Sequence, residues 1–221
     1  MILSHKHKFI FVKTQKTAGT SLEIALSKFC GDDDIITPIS INDEKIRENL
    51  GYRGPQNYKD NSFKSIFKKD KKLFYNHISC KNIKELVGDE IYNSYYKFCF
   101  ERNPYDKLIS FYNHEGGDAA WGSIKKFILN GELSLIKGFD QYTINKLVAV
   151  DSIFKYENLE DSLQEISKRI KLSESLSLNS IKAKGNFRKD KRHYSDVLNE
   201  EEVSLITTIW AREMSLLGYK F

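Results

Sequence analysis

Blocks of apolar and polar residues along the chain predict strands and helices in alternation. The apolar run at 9–12 is too short for a helix and predicts a buried strand. A polar loop follows at 13–19, and apolar residues then recur at helical spacing. Thr20 and Glu23 fit the S/T-x-x-E capping-box pattern, so we expect Glu23 to cap this helix. The chain therefore opens with a strand, a loop and a helix.

The same alternation continues to the end of the chain. It predicts further strands at 72–77, 95–101 and 152–159, and helices near 42–50, 82–88, 104–112, 120–130, 139–149, 159–170 and 199–217. Residues 31–62 are polar and are expected to be an irregular insertion around the first of these helices, and 173–198 a basic loop. The pattern predicts one α/β domain over 1–221, a three-layer sandwich like that of P-loop nucleoside triphosphatases. Its central, mainly parallel sheet is flanked by helices.

Composition and charge narrow the class of ligand. The 221 residues suffice for one domain with a large sheet, and 40% of them are hydrophobic. The net charge of +5 is uneven, with basic clusters at 63–74 and 182–194. Such clusters indicate anionic ligands or a solvated lysine-rich surface.

Cysteine and histidine spacing gives no indication of a disulfide framework or a zinc site. Cys30, Cys80 and Cys99 are isolated, and the five histidines lack metal-ligand spacing. The stretch "SHKH" at 4–7 is expected to be a frayed terminus. We find no signal segment and no apolar run of membrane-spanning length, so we expect a cytoplasmic protein without a membrane span.

The loop in "FVKTQKTAGTS" has the outline of a phosphate-binding site. A helix N-terminus after a strand presents backbone N–H groups and the positive end of the helix dipole to an anion. Lys13 and Lys16 add positive charge, Gly19 permits close backbone approach, and Thr20 and Ser21 add hydroxyls. The Gly-Lys-Ser/Thr ending of a Walker loop is absent, because Thr20 stands where its lysine would be. The loop therefore suits a phosphate and disfavours metal-dependent triphosphate hydrolysis.

A second group of polar residues follows the strand predicted at 95–101. Arg102 comes directly after this strand, at the sheet edge where open α/β sheets bind ligands. Ser110 lies eight residues further on, in the predicted helix, so both side chains could reach one phosphate. An arginine at a strand end can also pair with a nearby acid, and this alternative stays open.

Together the two stretches resemble the sulfotransferases that use 3′-phosphoadenosine 5′-phosphosulfate (PAPS), especially the carbohydrate sulfotransferases of the heparan-sulfate and chondroitin type. "FVKTQKTAGTSLE" is similar to the family's 5′-phosphosulfate loop, Pro-Lys-Thr/Ser-Gly-Gly/Thr-Thr/Ser, except that Gln15 replaces the proline. "RNPYDKLISFY" is very similar to its 3′-phosphate motif. "DSIFKYENL" and "MSLLGYKF" also match in order, whereas 31–62 and 113–148 are largely unmatched.

The resemblance implies a role for each matching residue. Lys16 would hold the oxygen that bridges phosphate and sulfate, and Arg102 with Ser110 would bind the 3′-phosphate. The 5′-phosphate would be cradled by the loop and helix residues Lys13, Thr17, Ala18, Gly19, Thr20 and Ser21. The basic segment stands where related enzymes close a loop over the nucleotide, which implies nucleotide contacts for Lys184, Gly185 and Arg188.

The implied reaction is in-line transfer of a sulfuryl group from PAPS as co-substrate to an acceptor hydroxyl, on a carbohydrate or glycolipid. Charge builds on the leaving oxygen, where Lys16 and helix N–H groups would stabilise it without a metal. His77 is the expected general base, since the catalytic histidine of several relatives lies at this position and its ordinary pKa suits the task. A structural histidine at a strand end is the alternative, and His114 and His193 are less favoured bases.

Two other functions share parts of this pattern. A P-loop nucleotide kinase would share the loop architecture, although the Gly-Lys-Ser/Thr ending is missing. A non-catalytic nucleotide- or glycan-binding module would keep Arg102 and the basic clusters without a working Lys16 and His77. Nucleic acid is not expected as a partner, because no recognition module is visible.

Overall fold

A five-stranded sheet forms the centre of the molecule. The computed structural model describes residues 1–59, 73–181 and 192–221. The sheet order is β3-β1-β2-β4-β7, and β5 with β6 forms a separate two-stranded hairpin. The strands are β1 (Ile2–Ser4), β2 (Phe9–Phe11), β3 (Ile35–Ile36), β4 (Tyr96–Glu101), β5 (Thr143–Ile144), β6 (Leu147–Val148) and β7 (Ser152–Lys155).

Most strands of the central sheet run in one direction. β2 pairs in parallel with β4, and β4 pairs in parallel with β7. β1 is antiparallel to both β2 and β3, so β3 points the same way as β2, β4 and β7. The expectation of a central, mainly parallel sheet is therefore confirmed. The carboxyl ends of β2 and β4 lie side by side, because Phe11 is in register with Phe98.

The described residues also form ten α-helices. They are α1 (Gly19–Ser27), α2 (Ile41–Asn49), α3 (Cys80–Ser94), α4 (Pro104–His114), α5 (Gly117–Trp121), α6 (Ile124–Leu129), α7 (Phe139–Tyr142), α8 (Leu159–Arg169), α9 (Glu200–Ile209) and α10 (Ala211–Leu217). Short 3₁₀ turns occur at Glu132–Leu135, Tyr156–Asn158 and Tyr194–Asp196. No described helix combines the length and apolarity needed to cross a membrane.

Alternate side chains of the strands build the two faces of the sheet. Phe9 and Phe11 of β2 point to one face, where they pack with α1 and α8. Ile10 and Val12 point to the other face, where they pack with α3 and α7. Each of these four side chains is fully buried, and full burial of such a side chain contributes about 1.5–3 kcal/mol. The result is the expected arrangement of helix, sheet and helix layers.

The prediction of a strand at 72–77 is wrong for the residues of that range that the structure describes. Residues 73–77 form bends and a turn, and the sheet position next to β2 is filled by β1 instead. Phe74 is buried as a loop residue, which explains why its apolar character misled the prediction. The helix expected at 82–88 also runs past its glycine, because Gly88 only kinks α3, with φ of 80°.

Two segments expected to lack regular structure contribute to the sheet. Residues 4–7 are not frayed: they join the end of β1 to the turn before β2, and the His5 ring contacts the Tyr95 hydroxyl at 2.7 Å. Within 31–62, β3 pairs with β1, and α2 matches the helix expected near 42–50. Neither strand was predicted, because two or three apolar residues carry no detectable period.

The C-terminal half also departs from the predicted helices. The helix expected at 139–149 is the single turn α7 followed by the β5–β6 hairpin. The helix near 120–130 is split into α5 and α6. The last helix begins at Glu200 as expected but breaks at Trp210, whose φ of −108° and ψ of 28° separate α9 from α10.

Candidate active site

The loop after β2 turns sharply into α1. Val12 N–H donates to the Phe98 carbonyl at 2.9 Å, which continues the pairing with β4 to the loop. Lys16 and Ala18 then adopt left-handed backbone, with φ of 62° and 57°. Ala18 is the N-cap of α1, and no side chain caps the helix. The first N–H groups of a helix have no partner within it. This uncapped end therefore presents N–H donors and the positive end of the helix dipole to the loop.

The capping role expected for Glu23 is wrong. Because the helix starts after Ala18, Glu23 lies beyond the first turn and points inward, with 0% exposure. Its carboxylate accepts from the Met1 amino group, from Lys13 Nζ at 2.5 Å and from Thr37 Oγ1 at 3.2 Å. Lys13 is itself only 2% exposed. The pair places a compensated charge directly beneath the phosphate loop.

Gly19 is required where Lys13 passes under the helix. A Cβ atom at Gly19 would lie 2.7 Å from Lys13 Cγ and 3.3 Å from the Thr14 carbonyl oxygen. Real Cβ atoms do not approach other atoms as closely as the first distance, and the Lys13 side chain is fixed by Glu23. The glycine therefore lets the helix N-terminus lie directly on the buried lysine.

Threonine hydroxyls tie the loop to the neighbouring strand. Thr14 Oγ1 donates to the Phe100 carbonyl of β4 and contacts Thr17 Oγ1 at 2.9 Å. Thr17 is fully buried and does not line the cavity above the loop, unlike Gly19, Thr20 and Ser21. The structure therefore assigns Thr17 a contact inside the loop, and a nucleotide contact for it stays a prediction.

Arg102 is held against the loop by several contacts. Its Nη1 donates to the Lys16 carbonyl at 3.1 Å, and its Nε donates to Asp106 Oδ2 at 2.7 Å. The guanidinium also lies 4.4 Å from the centre of the Tyr156 ring. The ion pair with Asp106 is the alternative that the sequence left open for this arginine, and it coexists with a position at the cavity.

One cavity of about 280 Å³ brings the two sequence motifs together. Lys13, Lys16 and the first residues of α1 line this cavity together with Arg102 and Ser110. The remaining lining residues are Thr14, Gln15, Ala18, His77, Phe111, His114, Glu115 and Tyr156. Lys184, Gly185 and Arg188 lie outside the described residues. In the described ranges, no cluster of three or more His, Cys, Asp or Glu side chains could hold a metal ion.

His77 lies in the turn before α3 and faces the loop. Its backbone is left-handed, with φ of 59°, and its ring Nδ1 lies 3.1 Å from the Lys13 carbonyl oxygen. Since a carbonyl can only accept, Nδ1 carries the proton of the neutral ring and Nε2 keeps its lone pair. Burial, followed by the positive charge of Lys13, lowers the pKa of His77 to about 3. The free protein therefore holds a neutral imidazole at the cavity.

The other two histidines considered from the sequence lie in different surroundings. His114, in the last turn of α4, also lines the cavity. His193 is exposed, and its Nδ1 contacts Ser195 Oγ at 2.8 Å. His77 is the histidine whose ring contacts the loop backbone, at the Lys13 carbonyl.

Gln15 is a site residue whose contacts the sequence did not predict. Its backbone N–H donates to the Lys137 carbonyl at 3.1 Å, and its Oε1 accepts from Lys137 N–H at 2.7 Å. A proline, the residue of the resembling motif, could make neither bond. Lys137 is 122 positions away, so local pattern could not reveal this connection.

The buried pair beneath the loop gives a stability prediction. For Glu23→Ala we expect the free energy of unfolding to fall by about 3–5 kcal/mol, since the Lys13 ammonium and the Met1 amino group lose their buried carboxylate partner. Urea denaturation measures the change. The control is Glu48→Ala on the exposed face of α2, expected to shift stability by less than about 0.5 kcal/mol. Equal small losses in both variants would show that the pair is not a structural support.

The lowered pKa of His77 gives a pH prediction. The Cε1–H resonance of His77 is expected to stay constant between about pH 5 and 8, because protonation of the folded protein would occur near pH 3. Two-dimensional NMR measures it, with assignment by His77→Asn, since asparagine tolerates left-handed backbone. A midpoint near the ordinary value of about 6.5 would contradict the half-buried position of the His77 ring against Lys13.

Parts of this chain are similar to known proteins. Residues 1–131 match the model of the Sulfotransferase family, a span that contains both the loop and the Arg102 motif. An uncharacterized protein of Archaeoglobus fulgidus is 35% identical over 113 residues, which cover 48% of this chain and 94% of that protein. The crystal structure of mouse sulfotransferase SULT7A1 complexed with PAP is similar, with a TM-score of 0.49 and 14% identity over 96% of this chain and 85% of that one.

The family match settles the class of protein that the two motifs suggested. It covers more than half of the 221 residues and includes every site residue predicted from the sequence up to Ser110. The expectation of a PAPS-dependent sulfotransferase is thereby confirmed at the level of the family. This chain belongs to the sulfotransferase family.

Proposed function

We propose that this protein transfers the sulfuryl group of PAPS to a hydroxyl of a carbohydrate acceptor, with Lys16 at the leaving oxygen and His77 as general base. The observation that carries the proposal is the single cavity that the loop residues share with Arg102 and Ser110. One nucleotide with phosphates at both its 5′ and 3′ positions would contact the loop residues and Arg102 with Ser110 at the same time.

The loop wall suits the 5′-phosphosulfate. The uncapped start of α1 supplies N–H groups from Gly19, Thr20 and Ser21, and all three residues line the cavity. Lys16 lines the same wall, on the loop side of the helix start. Its ammonium charge would stabilise the oxygen that becomes negative as the bond to sulfur breaks.

The part of the cavity lined by Arg102 and Ser110 suits the 3′-phosphate. Arg102 has five N–H donors, and its contacts with Asp106 and the Lys16 carbonyl use three of them. The two remaining donors belong to a guanidinium already fixed in place, which reduces the entropy lost on binding. The Ser110 hydroxyl makes no hydrogen bond within the described part of the chain and could donate to the same phosphate.

The proposed transfer forms one bond to sulfur and breaks another. The acceptor oxygen forms a bond to sulfur, the bond between sulfur and the 5′-phosphate oxygen breaks, and the acceptor proton moves to His77 Nε2. The products are a sulfate ester and adenosine 3′,5′-bisphosphate (PAP). The low pKa of His77 reflects burial and Lys13, so an anionic donor beside these lysines would raise that pKa towards a value useful for a base.

The cytoplasmic location expected from the sequence stays a prediction.

Nucleotide preference separates this function from that of a nucleotide kinase. We expect PAP to raise the melting temperature of the protein much more than ADP at equal concentration. PAP would place its 3′-phosphate at Arg102 and Ser110, whereas ADP has no 3′-phosphate. The nucleotide that binds the native state more tightly stabilises that state more. Differential scanning fluorimetry makes the comparison. Equal shifts for the two nucleotides would exclude a 3′-phosphate site and favour the kinase-like alternative.

Ser110→Ala is the variant that locates this preference. Loss of one hydrogen bond to a charged phosphate is expected to weaken PAP binding roughly tenfold while leaving ADP binding unchanged. Ser204→Ala, on the exposed side of α9, is the matched control and should bind both nucleotides like the wild type.

A further inference from the structure

A second cavity of about 620 Å³ adjoins the first, and His77 lines both. Its volume falls in the range of cavities that hold small organic ligands. Because the nucleotide would occupy the first cavity, a molecule in the second would meet the sulfuryl group beside His77. The place of the acceptor therefore follows from the proposed function, on which this inference rests.

The inner wall of the second cavity is apolar. Five buried side chains form it, from α6, the turn after it, α7 and the α9–α10 junction: Ile128, Leu133, Ile136, Phe139 and Trp210. Ile209 continues this surface to the mouth with 46% exposure. A ligand that fills the cavity must bury an apolar body against this wall to gain affinity.

The described residues that line this cavity include equal numbers of basic and acidic side chains. Among the described lining residues, Lys137 and Arg212 are positive, and Asp140 and Glu213 are acidic. Arg212 lies over the Phe139 ring at 4.4 Å, and Glu213 is buried, with its pKa raised by that burial. The described lining residues therefore offer no excess of basic over acidic side chains to an anionic acceptor. An uncharged acceptor fits it better.

The wall of this cavity is attached to the phosphate loop. The two hydrogen bonds between Gln15 and the Lys137 backbone join the loop to the segment that carries Ile136 and Gly138. Gln141 Nε2 donates to the His77 carbonyl at 2.8 Å, which fixes the histidine from the acceptor side. The two cavities are thus held in a fixed relation around His77.

We propose that the second cavity binds the acceptor, and that the acceptor is an uncharged glycoside with an apolar body instead of a polyanionic glycan. Its hydroxyl lies at His77, and its apolar part lies between Ile136 and Trp210. This proposal names the substrate class of the site and assigns Ile128, Leu133, Ile136, Phe139 and Trp210 to acceptor binding.

Three matched compounds test the class of acceptor on the PAP-bound protein. Isothermal titration calorimetry with n-octyl β-D-glucoside, below its micelle concentration, is expected to show binding at least tenfold tighter than methyl β-D-glucoside. The matched n-octyl β-D-glucuronide, which adds a carboxylate, should bind at least tenfold more weakly than the glucoside. Equal binding of the octyl and methyl glucosides, no binding of either, or preference for the glucuronide would overturn the proposal.

Two tryptophan variants test the place of binding. Ser134 is exposed at the cavity, so Ser134→Trp should obstruct it and weaken octyl glucoside binding at least tenfold. Ser204→Trp makes the same change on α9 outside the cavity lining and should bind like the wild type. Unchanged binding by Ser134→Trp would overturn the location. PAP affinity is measured first for each protein. If the wild type does not bind PAP, the proposed function is refuted. If it binds PAP but the octyl glucoside results fail, only the acceptor proposal is refuted.

Discussion

The buried contact between Lys13 and Glu23 is the interaction on which the site depends. Lys13 Nζ binds a carboxylate inside α1, its Cγ lies where only Gly19 leaves room, and its carbonyl orients the His77 ring. One residue therefore fixes the height of the helix start, the course of the loop and the tautomer of the proposed base. A buried charge is costly unless it is paired, so the glutamate is needed to keep this arrangement.

The order and direction of the strands bring the two sequence motifs together. β2 and β4 are parallel neighbours, so the loop after Phe11 and the arginine after Glu101 emerge at the same edge. Thr14 and Arg102 then connect the two loops through the Phe100 and Lys16 carbonyls. Residues almost ninety positions apart thereby line a single cavity. The buried rings of Phe11 on β2 and Phe98 on β4 pack against each other at this edge.

Local pattern predicted the parts of the site that local geometry determines. The strand, loop and helix around Lys16, and β4 with α4 around Arg102, are continuous stretches with clear periods. Glu23 was misassigned because its spacing from Thr20 fits a cap, while the actual helix starts after Ala18. The turn at His77 and the Gln15–Lys137 bonds depend on contacts more than sixty positions apart, which no sequence window contains.

A crystal structure of the PAP complex would show whether one nucleotide reaches both the phosphate loop and Arg102. We expect the 5′-phosphate to lie within hydrogen-bond distance of the first three backbone amides of α1 and of Lys16 Nζ. We expect the 3′-phosphate to contact Arg102 and the Ser110 hydroxyl. A nucleotide with its 3′-phosphate away from Arg102, or bound outside this cavity, would refute the proposed binding mode.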